Sequence, residues 1–548
     1  MLTTQHALFR IDTSGQVSSI QCDGRELVAA QQSSPLISLR IGGVLHPARE
    51  ARWDSQRNHL TLGFGDLDAS AVVAVQPHVS HIALEVREIQ TRAQVELLVW
   101  GPYALSLSGL IGEVVGVVRN QDVAVGIQAL NVKTLGGFPS EESDIAPDGV
   151  IADDHGLYTD LPLSLREKQS WRGDTATAAP YGSSLQAYCR NRDHLRVISN
   201  WGHAQFQAQP LADGGCIGSR IALFAVPANQ ALTALGEIEQ AEGLPHPILN
   251  GTWAKQSPDA TSSYLIADFG EHTIESAIEM TRRAGLKVLY HSSPFATWGH
   301  FELKGELFPN GWEGFRTCVQ KARQAGLGVG FHTLSNFITT NDAYVTPKPS
   351  PHLARIASAT LSADVDAVQA EIPVQRAEVF RQKTALNTIV IGEELIRYGG
   401  VSDEEPCHLL ECQRGAWGTQ AAVHGNGAVA ALLMDHDYKV FLTDATLSVE
   451  VAKKIAEFTN RTGAIQLSLD GLEGNWSTGL GQYGCSLFTL EWYRALDPSF
   501  HGGVINDASN PHHFTWHIAT RYNWGEPWYA GYVACAVMLR LSAIGSGC

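Results

Sequence analysis

The sequence lacks long apolar runs and contains few cysteines. No stretch of about 18 consecutive apolar residues occurs among the 548 residues, so no transmembrane helix and no membrane partner are expected. The nine cysteines are scattered, odd in number and free of CxxC pairs, which argues against a disulfide framework or zinc knuckle and favours reduced thiols. The chain does not open with a basic segment and an apolar core. A cytoplasmic location is therefore expected, unless a secretory leader has been removed.

Basic side chains are scarce relative to acidic ones. The 39 lysines and arginines face 56 aspartates and glutamates, the net charge is −17, and no Lys/Arg cluster occurs. Nucleic acid is not an expected partner, because its recognition needs a basic patch. The 13 tryptophans fit either a β-rich core or a surface that stacks on sugar rings. Stacking on aromatic faces favours a carbohydrate as the partner. No cofactor is implied, and assembly into a homo-oligomer stays open.

The first 245 residues have the pattern of β-strands. Short runs of alternating apolar and polar residues recur, as in Leu60–Phe64 and Val95–Trp100, and Gly, Asn and Asp punctuate them at intervals of about ten residues. This pattern is typical of a β-sandwich, and the length indicates a large one with many strands. We therefore predict a β-sandwich domain over 1–245.

After residue 250 the pattern changes to alternating strands and helices. Two helical segments each end in Ala-Gly-Leu, at 284–286 and 325–327, and lead into apolar strands. Such repeats predict a parallel sheet. The predicted fold class is multidomain β plus α/β, in which the β-sandwich precedes a (β/α)8-type, TIM-like barrel.

The barrel is predicted in two parts with an insertion between them. Strands 1–3 are expected in 250–345 and strands 4–6 in 439–548, where the barrel could be incomplete at the C-terminus. The intervening 346–438 are predicted to form a β-rich insert, because a loop of this length needs its own structure. Within it, Arg414-Gly-Ala-Trp-Gly-Thr is interpreted as a structural turn rather than part of the substrate cleft.

Polar side chains follow the predicted barrel strands. Catalytic groups of such barrels lie at the C-terminal ends of the strands. Applied along this sequence, the rule selects Asp268, His291, Trp298, His300, His332, Asn336, Asp470, Glu473, Asn506, Asp507, Arg521, Trp524 and Glu526. Because each predicted strand ends in such groups, we expect them to form one active site.

Cleavage of a glycosidic bond would need two carboxyl groups from this set. Asp470 is the first choice for the nucleophile, because the strand Ile465–Leu469 holds it and Gly471 allows a sharp turn after it. Glu526 is favoured as the acid, since the neighbouring Trp524 and Trp528 would raise its pKa, with Asp507 as the next choice. The other selected residues are expected to bind substrate.

An aspartate at the end of the fourth barrel strand, after a β-sandwich, resembles the retaining α-glycosidases of the α-galactosidase type, clan D. The resemblance implies a glycoside hydrolase that cleaves an oligo- or polysaccharide, with Asp470 as nucleophile and the acid/base at the end of strand six. The usual Lys-x-Asp of that family is Ser468-Leu469-Asp470 in this sequence.

Three other interpretations of the same residues stay open. A polysaccharide lyase would use His332 as proton abstractor with Asn336, Asn506, Arg521 and Tyr522 around a uronate. A metal site would join Asp268, His291 and His332, although no HExxH or paired H-x-H spacing supports it, and no metal is expected. A non-catalytic protein would use the same residues only to hold a glycan.

Overall fold

The computed structural model describes residues 1–139, 144, 175–382, 384–403, 405–501, 504–508 and 512–521. The N-terminal part consists almost entirely of strands. In chain order these are β1 Leu2–Thr3, β2 Ala7–Ile11, β3 Val17–Cys22, β4 Arg25–Glu26, β5 Ile37–Ile41, β6 Val44–Pro47, β7 Glu50–Asp54, β8 His59–Gly63, β9 Ala69–Pro77, β10 Ile82–Thr91, β11 Leu97–Leu105, β12 Leu110–Gly112, β13 Val117–Arg119, β14 Val123–Ala129, β15 Leu135–Gly136, β16 Ala176–Ala179, β17 Gly182–Arg190, β18 Arg196–Asn200, β19 His203–Ala208 and β20 Arg220–Pro227.

Two large antiparallel sheets form the N-terminal sandwich. One has eight strands in the order β12-β13-β14-β20-β10-β9-β8-β7, and the other has six, with β15-β17-β11-β5-β6 in line and β16 beside β17. Apolar residues of both sheets share one core, including Leu62 and Leu84 from the first and Trp100 from the second. Trp100 also donates its indole N–H to Ser219 Oγ at 2.9 Å, which satisfies the one polar atom it buries.

The next elements, up to residue 334, alternate between strands and helices. They are the short helix Ala228–Gln230, α1 Ala231–Glu242, β21 Ile248–Leu249, β22 Thr252–Trp253, the short helix Pro258–Thr261, β23 Tyr264–Ile266, α2 Ile274–Arg283, β24 Val288–His291, α3 Gly311–Gln324 and β25 Gly328–Leu334. Gly285 and Gly326 follow the ends of α2 and α3 with φ of 72° and 78°, a conformation that glycine adopts without steric cost.

An insertion of short strands follows β25. It contains β26 Ile338–Thr339, β27 Arg355–Thr360, β28 Ile372–Pro373, β29 Thr388–Ile391, β30 Glu394–Arg397, β31 Gly400–Val401, β32 His408–Leu410, β33 Val429–Leu433, β34 Asp435–His436 and β35 Val440–Phe441, with short helices at Glu378–Phe380 and Ala416–Gly418. Its main sheet has the order β27-β33-β29-β30. Ile389, Ile396 and Leu432 of that sheet lie in a core separate from that of the sandwich.

The alternating pattern returns with α4 Ala445–Thr462, β36 Gln466–Asp470, the 3₁₀ helix Leu472–Thr478, α5 Gln482–Ala495, β37 Ile505–Ala508 and α6 Thr515–Ile518. Strands from before and after the insertion form one sheet in the order β23-β24-β25-β36-β37, and every neighbouring pair is parallel. The combination of β sheets with an α/β unit is thereby confirmed. Closure into an eight-stranded barrel stays a prediction.

The seven cysteines within the described ranges are all free thiols. In the same part of the chain, no helix combines the length and the apolarity that crossing a membrane requires.

Candidate active site

The two faces of the parallel sheet differ in chemistry. Successive side chains of a strand point to opposite faces, and residues paired in register point to the same one. Leu289, Val329 and Leu467 share one face and pack with apolar residues of α2, α3 and α4. The other face carries the register pair His332 and Ser468. The polar residues His332 and Ser468 therefore lie on the face that is turned away from these helices.

Asp470 is the last residue of β36 and lies at the C-terminal edge of this polar face. It pairs with Leu334 of β25, and its Oδ1 accepts a hydrogen bond from the backbone N–H of Gly471 at 2.9 Å. Gly471 has φ of 68° and begins the turn into the 3₁₀ helix Leu472–Thr478. One carboxylate oxygen is thus held by the backbone, while the side chain keeps 20% of its surface exposed.

His332 lies near the second oxygen of Asp470. Its Nε2 lies 3.8 Å from Asp470 Oδ2, which is too far for a hydrogen bond. Burial lowers the pKa of His332 to about 4, because a desolvated imidazolium is unfavourable. At neutral pH the edge of the sheet therefore presents an uncharged imidazole beside a carboxylate.

Asp268 lies beyond the end of β23, at the same edge of the sheet. Its Oδ1 accepts a hydrogen bond of 2.6 Å from the hydroxyl of Ser292, and its side chain is 63% exposed. An exposed carboxylate held by a serine can accept hydrogen bonds from hydroxyl groups of a ligand. The strand-end rule selected Asp268 and overlooked Ser292.

His291 ends β24 at this edge, with its Nδ1 3.4 Å from Asp268 Oδ1, but contrary to the sequence prediction its ring is not on the polar face beside Asp470. It pairs in register with Phe331, so its ring lies on the helix-facing side, against Phe269 and Phe308. Its Nε2 donates to Phe269 O at 3.0 Å, and its Nδ1 accepts from the backbone N–H of Ser293 at 3.1 Å. The ring is completely buried with both nitrogens engaged, and burial lowers its pKa to about 4. His291 and His332 lie on opposite faces, so they share no metal ion.

Asn336 is also placed differently from the prediction. It is fully buried, its Nδ2 donates to Gly474 O at 3.1 Å, and its Oδ1 accepts from Thr443 Oγ1 at 2.8 Å. These bonds anchor the loop after Asp470 rather than a substrate. The sequence could not distinguish the two roles, because both need a polar residue just after β25.

Asn506 and Arg521 are likewise engaged within the protein. Asn506 pairs with Leu467, which places its buried side chain on the helix-facing side of the sheet. Arg521 donates from Nη1 to Ala260 O and Ser262 O, and its guanidinium lies 5.1 Å from the centre of the Tyr264 ring. These contacts tie Arg521 to the segment that precedes β23.

Trp298 and His300 lie between the parallel sheet and the insertion. The backbone N–H of Trp298 donates to Thr339 Oγ1 at 3.2 Å, and its half-buried ring packs against the cores of both parts. His300 donates from Nδ1 to the buried Asp342 at 2.8 Å and lies over Tyr344 with ring centres 4.1 Å apart. The imidazole of His300 is thereby fixed in orientation with 31% of its side chain exposed.

Aromatic rings that the sequence did not single out surround the loop after Asp470. Trp201 and Trp476 meet edge to face at 6.0 Å, and His436 contacts Trp201, Phe337 and Tyr438 at 5.7, 5.2 and 4.4 Å. We call these five residues the aromatic cluster. Its members come from the turn between β18 and β19, the insertion and the loop after β36, so no local sequence pattern connects them. Half of the surface of Tyr438 is exposed.

The remaining candidates are only partly described. Glu473 is half-buried in the loop after Asp470. Burial of the Cys485 thiol, together with the charge of Glu473, raises the pKa of that thiol well above the usual range. Asp507 occupies the position of β37 that pairs with Ser468. The side chain of Asp507, and all of Trp524 and Glu526, lie outside the described residues. The assignment of the acid therefore stays a prediction.

Comparisons with known proteins gave matches among solved structures only. No family model matches the sequence, and no curated protein matches it. The α-galactosidase from Lactobacillus brevis is 10% identical with a TM-score of 0.40, over 95% of this chain and 72% of that one. A GH36 α-galactosidase from Geobacillus stearothermophilus in complex with raffinose is 9% identical with a TM-score of 0.41, over 95% and 74%. An α-N-acetylgalactosaminidase from Bifidobacterium bifidum is 9% identical with a TM-score of 0.41, over 93% and 76%. Two of these three are α-galactosidases, the type of enzyme that the sequence resembles.

Proposed function

We propose that this chain is a retaining glycoside hydrolase in which Asp470 attacks the anomeric carbon of the substrate. One observation carries the proposal. The carboxylate of Asp470 lies at the C-terminal edge of a parallel sheet, with Oδ1 fixed by the Gly471 N–H and Oδ2 directed toward the neutral His332. A nucleophile needs this combination of a fixed orientation and partial exposure.

A second carboxyl group would complete the reaction. It would protonate the leaving oxygen while Asp470 forms the glycosyl ester, and would then activate the water that cleaves this ester. Glu526 is the first candidate for this group and Asp507 the second. Retention requires the two carboxyl groups to be about 5–5.5 Å apart.

The remaining groups of the edge suit a sugar. The neutral imidazole of His332 and the carboxylate of Asp268 offer partners for hydroxyl groups. The exposed ring of Tyr438 in the aromatic cluster offers an apolar surface for the C–H face of a pyranose. The set combines oriented polar groups with an aromatic wall, as carbohydrate binding requires.

The lowered pKa of His332 does not favour the lyase interpretation. A lyase needs a base strong enough to remove a proton next to a carboxylate. With a pKa of about 4, His332 is a weak base at neutral pH. Hydrolysis places no such demand on His332.

The test replaces Asp470 by Asn, which keeps the size of the side chain and removes the nucleophile. Turnover is measured on a panel of p-nitrophenyl α- and β-glycosides that includes the α-galactoside and the α-N-acetylgalactosaminide. We expect the wild type to hydrolyse at least one of them and Asp470→Asn to lose at least about 10³-fold in kcat. A 2-deoxy-2-fluoro glycosyl fluoride of the active sugar should add one glycosyl group to the wild type, on Asp470.

Asp68→Asn is the matched control, because Asp68 is an exposed aspartate of the sandwich whose side chain is 88% accessible. It should leave activity and thermal unfolding unchanged. Full activity of Asp470→Asn would refute the nucleophile assignment. Binding of sugars by a wild type that hydrolyses none of the panel would instead indicate a carbohydrate-binding protein.

A further inference from the structure

A cluster of two imidazoles and one carboxylate that includes no residue of the candidate active site lies between the sandwich and α1. His78 and His81 belong to the turn between β9 and β10, and Glu242 is the last residue of α1. Their potential ligand atoms all lie within 4.8 Å of one another. We call these three residues the His–Glu cluster.

The two imidazoles converge on the same oxygen atom. His81 Nε2 lies 2.9 Å from Glu242 Oε1, and His78 Nε2 lies 3.2 Å from it. The two rings are stacked, with centres 4.4 Å apart and planes inclined by 5°. Zinc bonds of about 2.0–2.1 Å in tetrahedral geometry place neighbouring ligand atoms about 3.3 Å apart. The two separations from Glu242 Oε1 are therefore close to those of neighbouring ligands around one small ion.

The Nε2 atom of His78 indicates a bound ligand, because no hydrogen bond with a described residue takes the place of one. His78 Nε2 is buried and makes no hydrogen bond with any residue that the structure describes, despite its proximity to Glu242. Leaving a buried polar atom unsatisfied is costly. The Nε2 atom of His78 is therefore placed to bind a metal ion.

The surroundings orient the other two ligands. Ser80 Oγ lies 3.2 Å from His81 Nδ1, and His81 Nε2 donates a hydrogen bond of 2.9 Å to Glu242 Oε1. A metal ion bound between them would displace the Nε2 proton. Arg220 Nη1 contacts Oε2 of Glu242, which leaves Oε1 for the imidazoles. His81 and Glu242 are almost completely buried, whereas 34% of the His78 side chain is exposed. This open side would admit a water molecule as fourth ligand.

We propose that the His–Glu cluster binds a divalent transition-metal ion, with Zn²⁺ as the preferred ion, through His78 Nε2, His81 Nε2 and Glu242 Oε1. Two imidazoles and one carboxylate are a donor set that zinc accepts. The ion would fasten the turn after β9 to the end of α1. On the same helix, the buried Glu239 contacts His517 Nδ1 at 2.8 Å in the C-terminal part of the chain. The ion would thereby stiffen the helix that joins the sandwich to the α/β part.

The test uses the full chain after treatment with a chelator and dialysis. Calorimetric titration with Zn²⁺ should show one tight site, and Co²⁺ in its place should give the visible absorption of a tetrahedral complex. His78→Gln should weaken Zn²⁺ binding by more than the roughly 10–100-fold that loss of an outer-shell partner costs. Because His78 Nε2 makes no hydrogen bond with a described residue, and the backbone bond from His78 to His81 O does not involve the side chain, this variant should keep its fold.

His46→Gln is the matched control, since His46 is a half-buried histidine of strand β6 in the same sandwich. It should bind Zn²⁺ as the wild type does. Zn²⁺ should also raise the thermal unfolding midpoint of the wild type and of His46→Gln but not that of His78→Gln. A wild type without a stoichiometric site, or equal affinity in His78→Gln, would overturn the proposal and leave a hydrogen-bonded network. Either outcome is independent of glycosidase turnover.

Discussion

Gly471 controls the direction that the chain takes immediately after the proposed nucleophile. Its φ of 68° lies in the left-handed region, where an L side chain is strained. A Cβ at this position would lie 2.6 Å from Phe337 Cε2 and 3.1 Å from Leu334 Cδ2. The same residue donates the hydrogen bond that fixes Asp470 Oδ1. Backbone conformation, packing and orientation of the carboxylate therefore all depend on the absence of a side chain here.

We predict that Gly471→Ala lowers both stability and turnover. The left-handed conformation costs about 1–2 kcal/mol, and overpacking against Phe337 adds about 1–3 kcal/mol. Gly285→Ala is the control, because Gly285 has φ of 72° but nothing within 4 Å of its Cβ position. Gly285→Ala should lose only the stability that the left-handed conformation costs, and it should retain turnover. Thermal unfolding and kcat of both variants check this, and equal losses in the two would rule out the contact with Phe337.

The rule that catalytic groups follow the barrel strands selected residues at the C-terminal edge of the parallel sheet, but it did not distinguish the two faces of the sheet. Asp470 closes β36, and His332 lies two residues before the end of β25, so the alternation of side chains places both on the polar face. His291 is also a strand-end residue, but it pairs with Phe331 and points the opposite way. A shift of one residue reverses the face, and sequence patterns locate strand ends less accurately than that.

The inserted strands depend on a buried charged group at the start of β30. The carboxylate of Glu394 accepts two hydrogen bonds of 2.8 Å from Arg414 and lies 2.7 Å from His424 Nε2. The backbone N–H groups of Gly415 and Ala422 also donate to it. The structure therefore assigns a structural role to Arg414, as its glycine-rich sequence indicated.

We predict that Glu394→Gln destabilises the insertion by about 3–5 kcal/mol, because it leaves a buried arginine without its counter-charge. Glu393→Gln is the control, since the adjacent Glu393 is 69% exposed and pairs with Lys348 at the surface. Such surface pairs contribute about 0–1 kcal/mol. Limited proteolysis and thermal unfolding should show a loss only for Glu394→Gln. Equal protease resistance of both variants would contradict the structural role of the Glu394 network.

At the level of elements, local signals explain the agreement between sequence and structure. Gly285 and Gly326 indicated the ends of α2 and α3, and both occupy left-handed positions there. The strand order of the sandwich was not predictable, because β14 and β20 are separated by about ninety residues and pair through side chains that only the folded core brings together. The aromatic cluster was missed for the same reason.

The sandwich and the α/β part meet through histidines of the C-terminal segment. His513 Nε2 accepts a hydrogen bond of 2.8 Å from the backbone N–H of Ala129, and His513 Nδ1 donates one of 2.9 Å to Val114 O. Both nitrogens are used only if the ring is neutral. Burial lowers the pKa of His513 to about 3, and the neighbouring His517 is the second cause. The contact between the two parts of the molecule therefore depends on keeping the His513 ring unprotonated.

This exclusion predicts that stability falls as pH falls from neutrality. Above a pH of about 6.5, His513 is neutral in the folded and the unfolded chain, and its contribution is complete. Between about pH 6.5 and 3, only the unfolded chain takes up the proton, so each such histidine removes about 1.4 kcal/mol per pH unit. The carboxylates with lowered pKa, including Glu239, begin to matter only below a pH of about 4.5, so measurement over about pH 5–7 isolates the histidines. The slope of the free energy of unfolding with pH, measured by calorimetry, reports how many more protons the unfolded chain binds. For His513→Gln this number should be smaller by one than for the exposed control His272→Gln. A change in stability without a change in slope would show that His513 acts only through packing.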